Sequence, residues 1–464
     1  MKISQATPLI LLLSILISGC KDDSISQQIT PDIEEAFPCT DGLADGQYPC
    51  DNIGLFAHVS TTELGGVRVN DIWGWTDPID GKEYALVGLS DGISFVDISD
   101  PNNPIVIGKL NETSFARKLI GIEADKEFPA CVVGIGDTPV AKSISEGSVW
   151  RDVKVFDNHA FIVSDGQIHG MQVFDLTRLR DYNGTFLEFN EDVHYDLFDN
   201  AHNIAINEVS GFAYVVGFRA NEVCGFERNP NIPNSRDTTG IHIIDLNDPK
   251  NPSFAGCYVD ANTEIPDSYS VGIGYIHDTQ CVNYEGIDEE HHGKEICFSS
   301  AEGAVVITDV SDKENTETIG FSGVTGMQYS HQGWLTEDQR FFLMNDELDE
   351  TRLGRNTRTY IWDVQDLDRP TFIGYYSHNT SSIDHNLYIR QNFVFQSNYT
   401  SGLRILRLGD LDIAELIPVG HFDTQPSSNT TSYTGTWSNY PYFESGVIVV
   451  SDINDGLFIL KPYL

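Results

Sequence analysis

Residues 90–110 read SDGISFVDISDPNNPIVIGKL. Positions 93–98 are β-branched and aromatic and alternate with period two, which suits a strand whose two faces meet different surroundings. Asp100-Pro101-Asn102-Asn103-Pro104 is turn chemistry, because proline fixes φ and Asp or Asn side chains close local hydrogen bonds. Positions 105–110 return as the partner strand, so the stretch is a β-hairpin.

The pattern recurs at Gly170 (GMQVFDLTRLRD), Gly240 (GIHIIDLNDPKNPSFAGCY), Gly303 (GAVVITDVSDKENTETIGF) and Thr357 (TRTYIWDVQDLDRPTFIGYY). Weaker copies at Gly402 (GLRILRLGD) and Gly456 (GLFILKPYL) bring the count to seven. Two more short apolar runs precede each hairpin, as in WRDVKVF from Trp150 and HAFIVSD from His159, so a unit has four strands. First-strand starts align at Asn70, Arg151, His202, His277, His331, His385 and Trp437, with spacings of 81, 51, 75, 54, 54 and 52. A base period near 50 is blade length, and the long gaps hold insertions at 111–147, 224–237 and 283–293.

The expected fold is therefore all-β, a seven-bladed β-propeller of four-stranded antiparallel blades. The seventh unit lacks its outer strand, whereas NIGLFAHVSTTEL at 52–64 resembles one. An N-terminal strand is thus expected to complete the last blade and pair otherwise exposed edges.

Ahead of the repeats, residues 8–17 form a ten-residue apolar run behind Lys2, too short to span a bilayer. Ile17-Ser18-Gly19-Cys20 follows and resembles a bacterial lipobox. That resemblance implies a lipoprotein signal peptide at 1–19 and lipidation at Cys20, with diacylglycerol on the sulfur and an amine-linked chain, enough for stable anchoring. Lys21 resembles the residue found after the cysteine in lipoproteins sent on to the outer membrane. The membrane is then a partner through Cys20, and the location is extracytoplasmic, at the outer membrane or cell surface of a bacterium. Residues 20–37 are polar, acidic and aperiodic and read as a flexible tether; 38–464 read as one propeller domain.

The chain carries 28 Lys and Arg against 69 Asp and Glu, a net charge of −41. Such a charge repels nucleic acid and anionic headgroups and keeps a surface soluble, so no nucleic-acid partner is expected. Of eight cysteines, Cys20 is set aside for lipid. Cys39 and Cys50 bracket a Gly- and Asp-rich loop, Cys281 and Cys297 flank a hairpin turn symmetrically, and Cys224 and Cys257 fall where a meander brings them close. Three disulfides are expected from these pairs, although six cysteines allow 15 pairings, and Cys131 is left over.

The FVDISDPNNPIVIG-type units resemble the LVIVD repeat. The strings NDIWGWTDP, WRDVKVF, AHNIAIN, HQGWLTEDQRFFLMNDELDE, SIDHNLYIR and GLFIL, in that order, resemble the choice-of-anchor B family of bacterial surface proteins. The resemblance covers roughly residues 37–464 and implies a propeller at the cell surface; it implies no particular chemistry.

Four first-strand starts are histidines, His202, His277, His331 and His385, followed by Asn203, Asp278, Gln332 and Asn386. The first two blades place Asn70-Asp71 and Arg151-Asp152 there. Because first strands are innermost, these residues are expected to ring one mouth of the channel, joined by loop residues Asp91, Asp165, His169, Asp346, Asn398 and Asp452. Such a funnel would offer the four histidines to a divalent metal ion, since imidazole suits zinc, copper, iron and nickel and carboxylates suit calcium or manganese. Recurrence once per blade suits equally a structural role in which each histidine bonds a neighbouring strand.

Asp97, Asp175, Asp245, Asp309 and Asp363 sit just before their turns and are expected to close them. TDGLADG at 40–46 lacks EF-hand spacing and reads as a disulfide-closed turn. Trp73, Trp75, Trp334 and Tyr329 are placed to stack sugars or to pack blades. NDELDE at 345–350 reads as a solvated loop with cation affinity. No nucleophile elbow, HExxH pair, phosphate-cradling loop or dinucleotide fingerprint occurs. The expected function is a tethered binding or scaffold module for a protein, glycan or cation. The alternative is a metal-dependent hydrolase, in which funnel histidines hold a metal-activated water and Asp152 or Asp278 acts as base.

Overall fold

The computed structural model describes residues 32–112, 148–166, 169–218, 222–224, 240–259, 275–428 and 430–464. Their strands form seven sheets, each with a four-stranded antiparallel blade at its heart. The innermost strands are Val69–Thr76, Arg151–Phe156, Asn203–Asn207, Asp278–Asn283, Ser330–Leu335, Asn386–Arg390 and Thr436–Tyr440. Each contacts the next and the last contacts the first, so the sheets close into a seven-bladed propeller.

The closing device is the expected one. Strand Ile53–Val59 pairs antiparallel with Gly456–Pro462, and Leu55 stands opposite Leu460. Leu55, Leu460, Phe458 and Ile448 are buried together with Phe422 and Leu403 of the sixth blade, so the clasp also glues two blades. The short strands Leu43–Ala44 and Tyr48–Asp51 add to the sixth blade through Cys50 opposite Phe422. Contacts with the propeller precede Cys39: Glu35 pairs with Lys461 at 3.0 Å, and the Ala36 N–H donates to Asn102 Oδ1 at 2.9 Å. The last residues of the expected tether are therefore docked on the propeller, and 20–31 lie outside the described residues.

All three expected disulfides are present, Cys39–Cys50, Cys224–Cys257 and Cys281–Cys297, with Cα separations of 5.9, 5.8 and 4.0 Å. Cys131 lies outside the described residues, as do positions 113–147 and 225–239. The five turn aspartates act alike. Each accepts the N–H two residues on, from Ser99, Thr177, Asn247, Ser311 and Gln365, at 2.9 to 3.0 Å.

The second blade departs from the repeat. After Met171–Asp175 the chain makes a 3-10 helix, Leu176–Asp181, instead of a tight hairpin. Leu187–Phe189 then adds in parallel to Ile105–Asn111 of the first blade, and only Val193–Tyr195 completes the second. Arg180 of LTRLRD grips the buried carboxylate of Asp77 on the first blade through two 2.6 Å bonds and ties the segment to that blade. No helix among the described residues is long and apolar enough to cross a membrane.

Candidate functional site: the axial cavity and its histidine mouth

Strand alternation turns every second side chain of an innermost strand toward the axis. One layer is Asp71, Asp152, Asn203, Asp278, Gln332 and Asn386; the next is Trp73, Lys154, Ala205, Gln280, Trp334, Tyr388 and Tyr440. With Tyr442 they line a cavity of about 560 Å³, within the size range of small-molecule sites.

Part of the first layer staples blade to blade. Asp152 Oδ2 accepts the Ile204 N–H at 2.8 Å, and Asn203 Nδ2 donates to the His277 carbonyl at 2.9 Å. Gln332 exchanges two 2.9 Å bonds with the backbone of Leu387. Lys154 Nζ lies 2.5 Å from Asp152 and 3.3 Å from Asp71, and 4.5 Å above the Trp73 ring. Burial drives the Asp152 pKa up, but Lys154 and the bonds it accepts more than reverse this and leave it below the usual carboxylate range. Asp278, which accepts from the Thr279 N–H of its own strand, is pushed up to about 7, by burial and then by the Asp152 charge.

The second layer breaks the sevenfold symmetry. Trp334, Tyr388, Tyr440 and Trp73, from four consecutive blades, make one aromatic half-wall, with centroids 5.1 Å apart for Trp334–Tyr388 and Trp73–Tyr440 and 5.7 Å for Trp73–Tyr388. Lys154, Ala205 and Gln280 form the other half.

The four histidines stand in a row at the mouth, each ring tilted by 40 to 57° against the next. Their centroids lie 4.5 Å (His202–His277), 4.2 Å (His277–His331) and 4.4 Å (His331–His385) apart. The Nδ1 atoms of His277 and His385 sit 2.9 and 2.6 Å from the carbonyls of His331 and Trp437. His331 turns the same way toward the His385 carbonyl without full hydrogen-bond geometry. His202 Nδ1 meets Asp165 at 3.0 Å. Burial lowers the pKa of His385 to about 3 and that of His331 well below normal, with neighbouring imidazoles adding to the latter. For His202, burial is outweighed by Asp165 and the pKa rises. On their Nε2 side His331 and His385 each lie 3.8 Å from the Glu347 carboxylate, which also accepts from Tyr399 Oη at 2.8 Å.

Other expected residues lie elsewhere. Arg151 aligns with the histidines in sequence, but its side chain leaves the axis. It donates to the Leu89 carbonyl at 3.1 Å, meets His169 Nε2 at 2.8 Å and pairs with Glu112 at 3.6 Å between the first two blades. Asp91 pairs with Lys109, and Asp452 accepts from Thr424. Asp346 receives the N–H groups of Gln328 and Tyr329, and Asn398 is buried. Trp75 stacks on Tyr84 within its blade, whereas Tyr329 turns its edge to His277.

NDELDE is not a solvated loop. Asn345, Asp346, Asp349 and Glu350 are buried, because strand Phe341–Asp346 runs straight into the short helix Asp349–Leu353 and turns the segment inward. Glu347 was expected only as part of a solvated stretch with cation affinity, not as a residue of the funnel, and Tyr388, Tyr440 and Tyr442 were not expected at the site. For the first two tyrosines the alternation of NLYIR and TWSNY carried the signal.

These features define a β-propeller with a ligand-sized axial cavity beneath an imidazole row. No family model and no curated protein matches the chain. Among solved structures it is similar to the β-propeller domain of Cps50 (Swd1) from Myceliophteria thermophila. The identity is 10% and the TM-score 0.50, over 89% of this chain and all of that one. A protein from Lactobacillus plantarum is similar at 10% identity and a TM-score of 0.47, over 83% of this chain and 88% of that one. At 10% identity the likeness to the Cps50 domain speaks to the fold alone.

Proposed function

We propose that the chain is a membrane-tethered, extracytoplasmic binding module that takes a saccharide unit in its axial cavity. The observation that carries this is the asymmetry of the second layer. Structural devices repeat from blade to blade, but the aromatic half-wall occupies only four consecutive blades. Aromatic faces suit the C–H face of a pyranose, while hydroxyls both donate and accept. The facing groups supply both needs: Asp278 accepts, the Asn386 amide does both, and Gln280, whose Oε1 already accepts the Leu335 N–H at 2.8 Å, donates through Nε2. Tethering rests on the lipobox-like segment ending at Cys20, and a surface location on the LVIVD and choice-of-anchor B resemblance.

Calorimetric titration of the chain lacking residues 1–19 with the methyl glycosides of glucose, galactose and N-acetylglucosamine tests the reading. At least one is expected to bind saturably, with Trp334→Ala and Gln280→Ala each weakening it tenfold or more. Absence of binding by all three at millimolar concentration, or binding indifferent to both substitutions, overturns it.

The hydrolase reading keeps one observation in its favour. Asp278, held at about 7 near the histidines, has the pKa of a general base, whereas Asp152 is committed to Lys154 and Ile204. Turnover of an aryl ester or phosphate lost in Asp278→Asn would support it.

A further inference from the structure

We propose that His331 Nε2, His385 Nε2 and a carboxylate oxygen of Glu347 bind one divalent transition-metal ion of the zinc class at the channel mouth. This inference does not depend on the saccharide reading.

The three ligand atoms lie within 4.8 Å of one another. His331 Nε2 is 3.8 Å from Glu347 Oε2, and His385 Nε2 is 3.8 Å from Oε1. Two ligands on a tetrahedral zinc stand about 3.3 Å apart, given bonds of about 2.0 Å, so the three atoms need to close by at most about 1.5 Å.

The tautomer of His385 is already set for ligation. A carbonyl can only accept, so Nδ1 of His385, 2.6 Å from the Trp437 carbonyl, must carry the proton, and Nε2 must carry the lone pair. Metal-ligating histidines almost always donate their second N–H to a carbonyl or carboxylate in this way. Tyr399 holds the third ligand by donating to Glu347 at 2.8 Å.

A purely structural role explains the Nδ1 contacts but not the convergence of two bare Nε2 atoms on a carboxylate. Both imidazoles are buried, at 3% and 4% exposure, beside the half-buried Glu347. Two imidazoles and one carboxylate are the protein ligands of catalytic zinc sites and of non-haem iron sites, whereas calcium and magnesium want oxygen alone.

Two other clusters are weaker. Cys224 and Cys257 beside His242 are joined as a disulfide. Asp288, His291 and Asp368 are tied to each other's loops, His291 to Asp368 and Asp288 to the Leu367 N–H.

The test uses the chain lacking residues 1–19, stripped with chelator and titrated with Zn²⁺, with bound metal counted after gel filtration and Co²⁺ used as a spectroscopic probe. The expected result is one ion per chain and visible Co²⁺ ligand-field bands. His385→Ala and Glu347→Gln each weaken retention at least tenfold, and Tyr399→Phe weakens it about tenfold. Glu347→Gln, isosteric and neutral, keeps the test decisive if His385→Ala fails to fold; apo thermal melts check both. Asp288→Asn controls for adsorption to surface carboxylates and is expected to change nothing. No retained metal in the unaltered chain overturns the proposal, as does retention unaffected by Glu347→Gln and His385→Ala.

Discussion

Leu55 and Leu460 stand opposite each other in one antiparallel ladder, one near the front of the described chain and the other four residues from Leu464. Both are essentially excluded from solvent. The ring is thus closed by a pairing between its two ends, and its stability hangs on that pairing.

Leu55→Ala is expected to cost about 2–5 kcal/mol, the range for a large-to-small change in a core. Leu460→Ala should cost a similar amount. Denaturant unfolding measures both, and a loss below about 0.5 kcal/mol, typical of surface positions, would show that the clasp is dispensable.

Cys281 and Cys297 face each other in adjacent strands, 16 residues apart in sequence. Replacing both by alanine should cost about 2–4 kcal/mol through a freer unfolded chain. Peptide mapping without reduction should recover the three pairs described, and a link from Cys131 to any of those six cysteines would contradict the pairing.

Lys154→Met leaves Asp71 and Asp152 buried without their cation. Removing one partner of a buried pair costs about 3–5 kcal/mol. Burial already raises Asp71 well above the usual carboxylate range, so the loss should shrink toward pH 5, where Asp152 can be protonated as well, and the melting-temperature gap to the unaltered chain should narrow there. A gap independent of pH would contradict this.

Glu350 is raised to about 9, first by burial and then by Asp349. Between its unfolded value and about 9 the folded chain binds the extra proton, so this group's contribution to stability falls as pH rises through that window. Glu350→Gln removes the liability. It should leave the melting temperature nearly unchanged at pH 5 and raise it by a few degrees at pH 8; an equal effect at both pH values would contradict the assignment.

Much of the fold was legible because its devices are local or periodic. The Asp97-type turns, the 50-residue period and the cysteine spacings each fix geometry over a few residues, and NIGLFAHVSTTEL matched the missing outer strand. The second blade was less legible because a missing proline does not mark LTRLRD out, DVSDKENTETIGF lacking one and still making the hairpin, and because the Arg180–Asp77 contact joins residues 103 apart. The site was only partly legible. The histidine column is visible in an alignment of repeats, but Arg151, in the same column, has a side chain long enough to leave it for Leu89, His169 and Glu112. Glu347 was hidden by composition, since a run as acidic as NDELDE reads as solvated unless the inward course of its backbone is known. The aromatic half-wall needs four blades superposed before Trp334, Tyr388, Tyr440 and Trp73 come together.

The central claim, a saccharide site on the propeller axis, is tested most directly by a crystal structure of the chain soaked with whichever methyl glycoside binds it most tightly. The account predicts a pyranose ring lying on Trp334 and Tyr388, with hydroxyls bonded to Asp278 and Gln280. A sugar bound only on the outer faces of the blades, with the axial cavity unaltered, would contradict it.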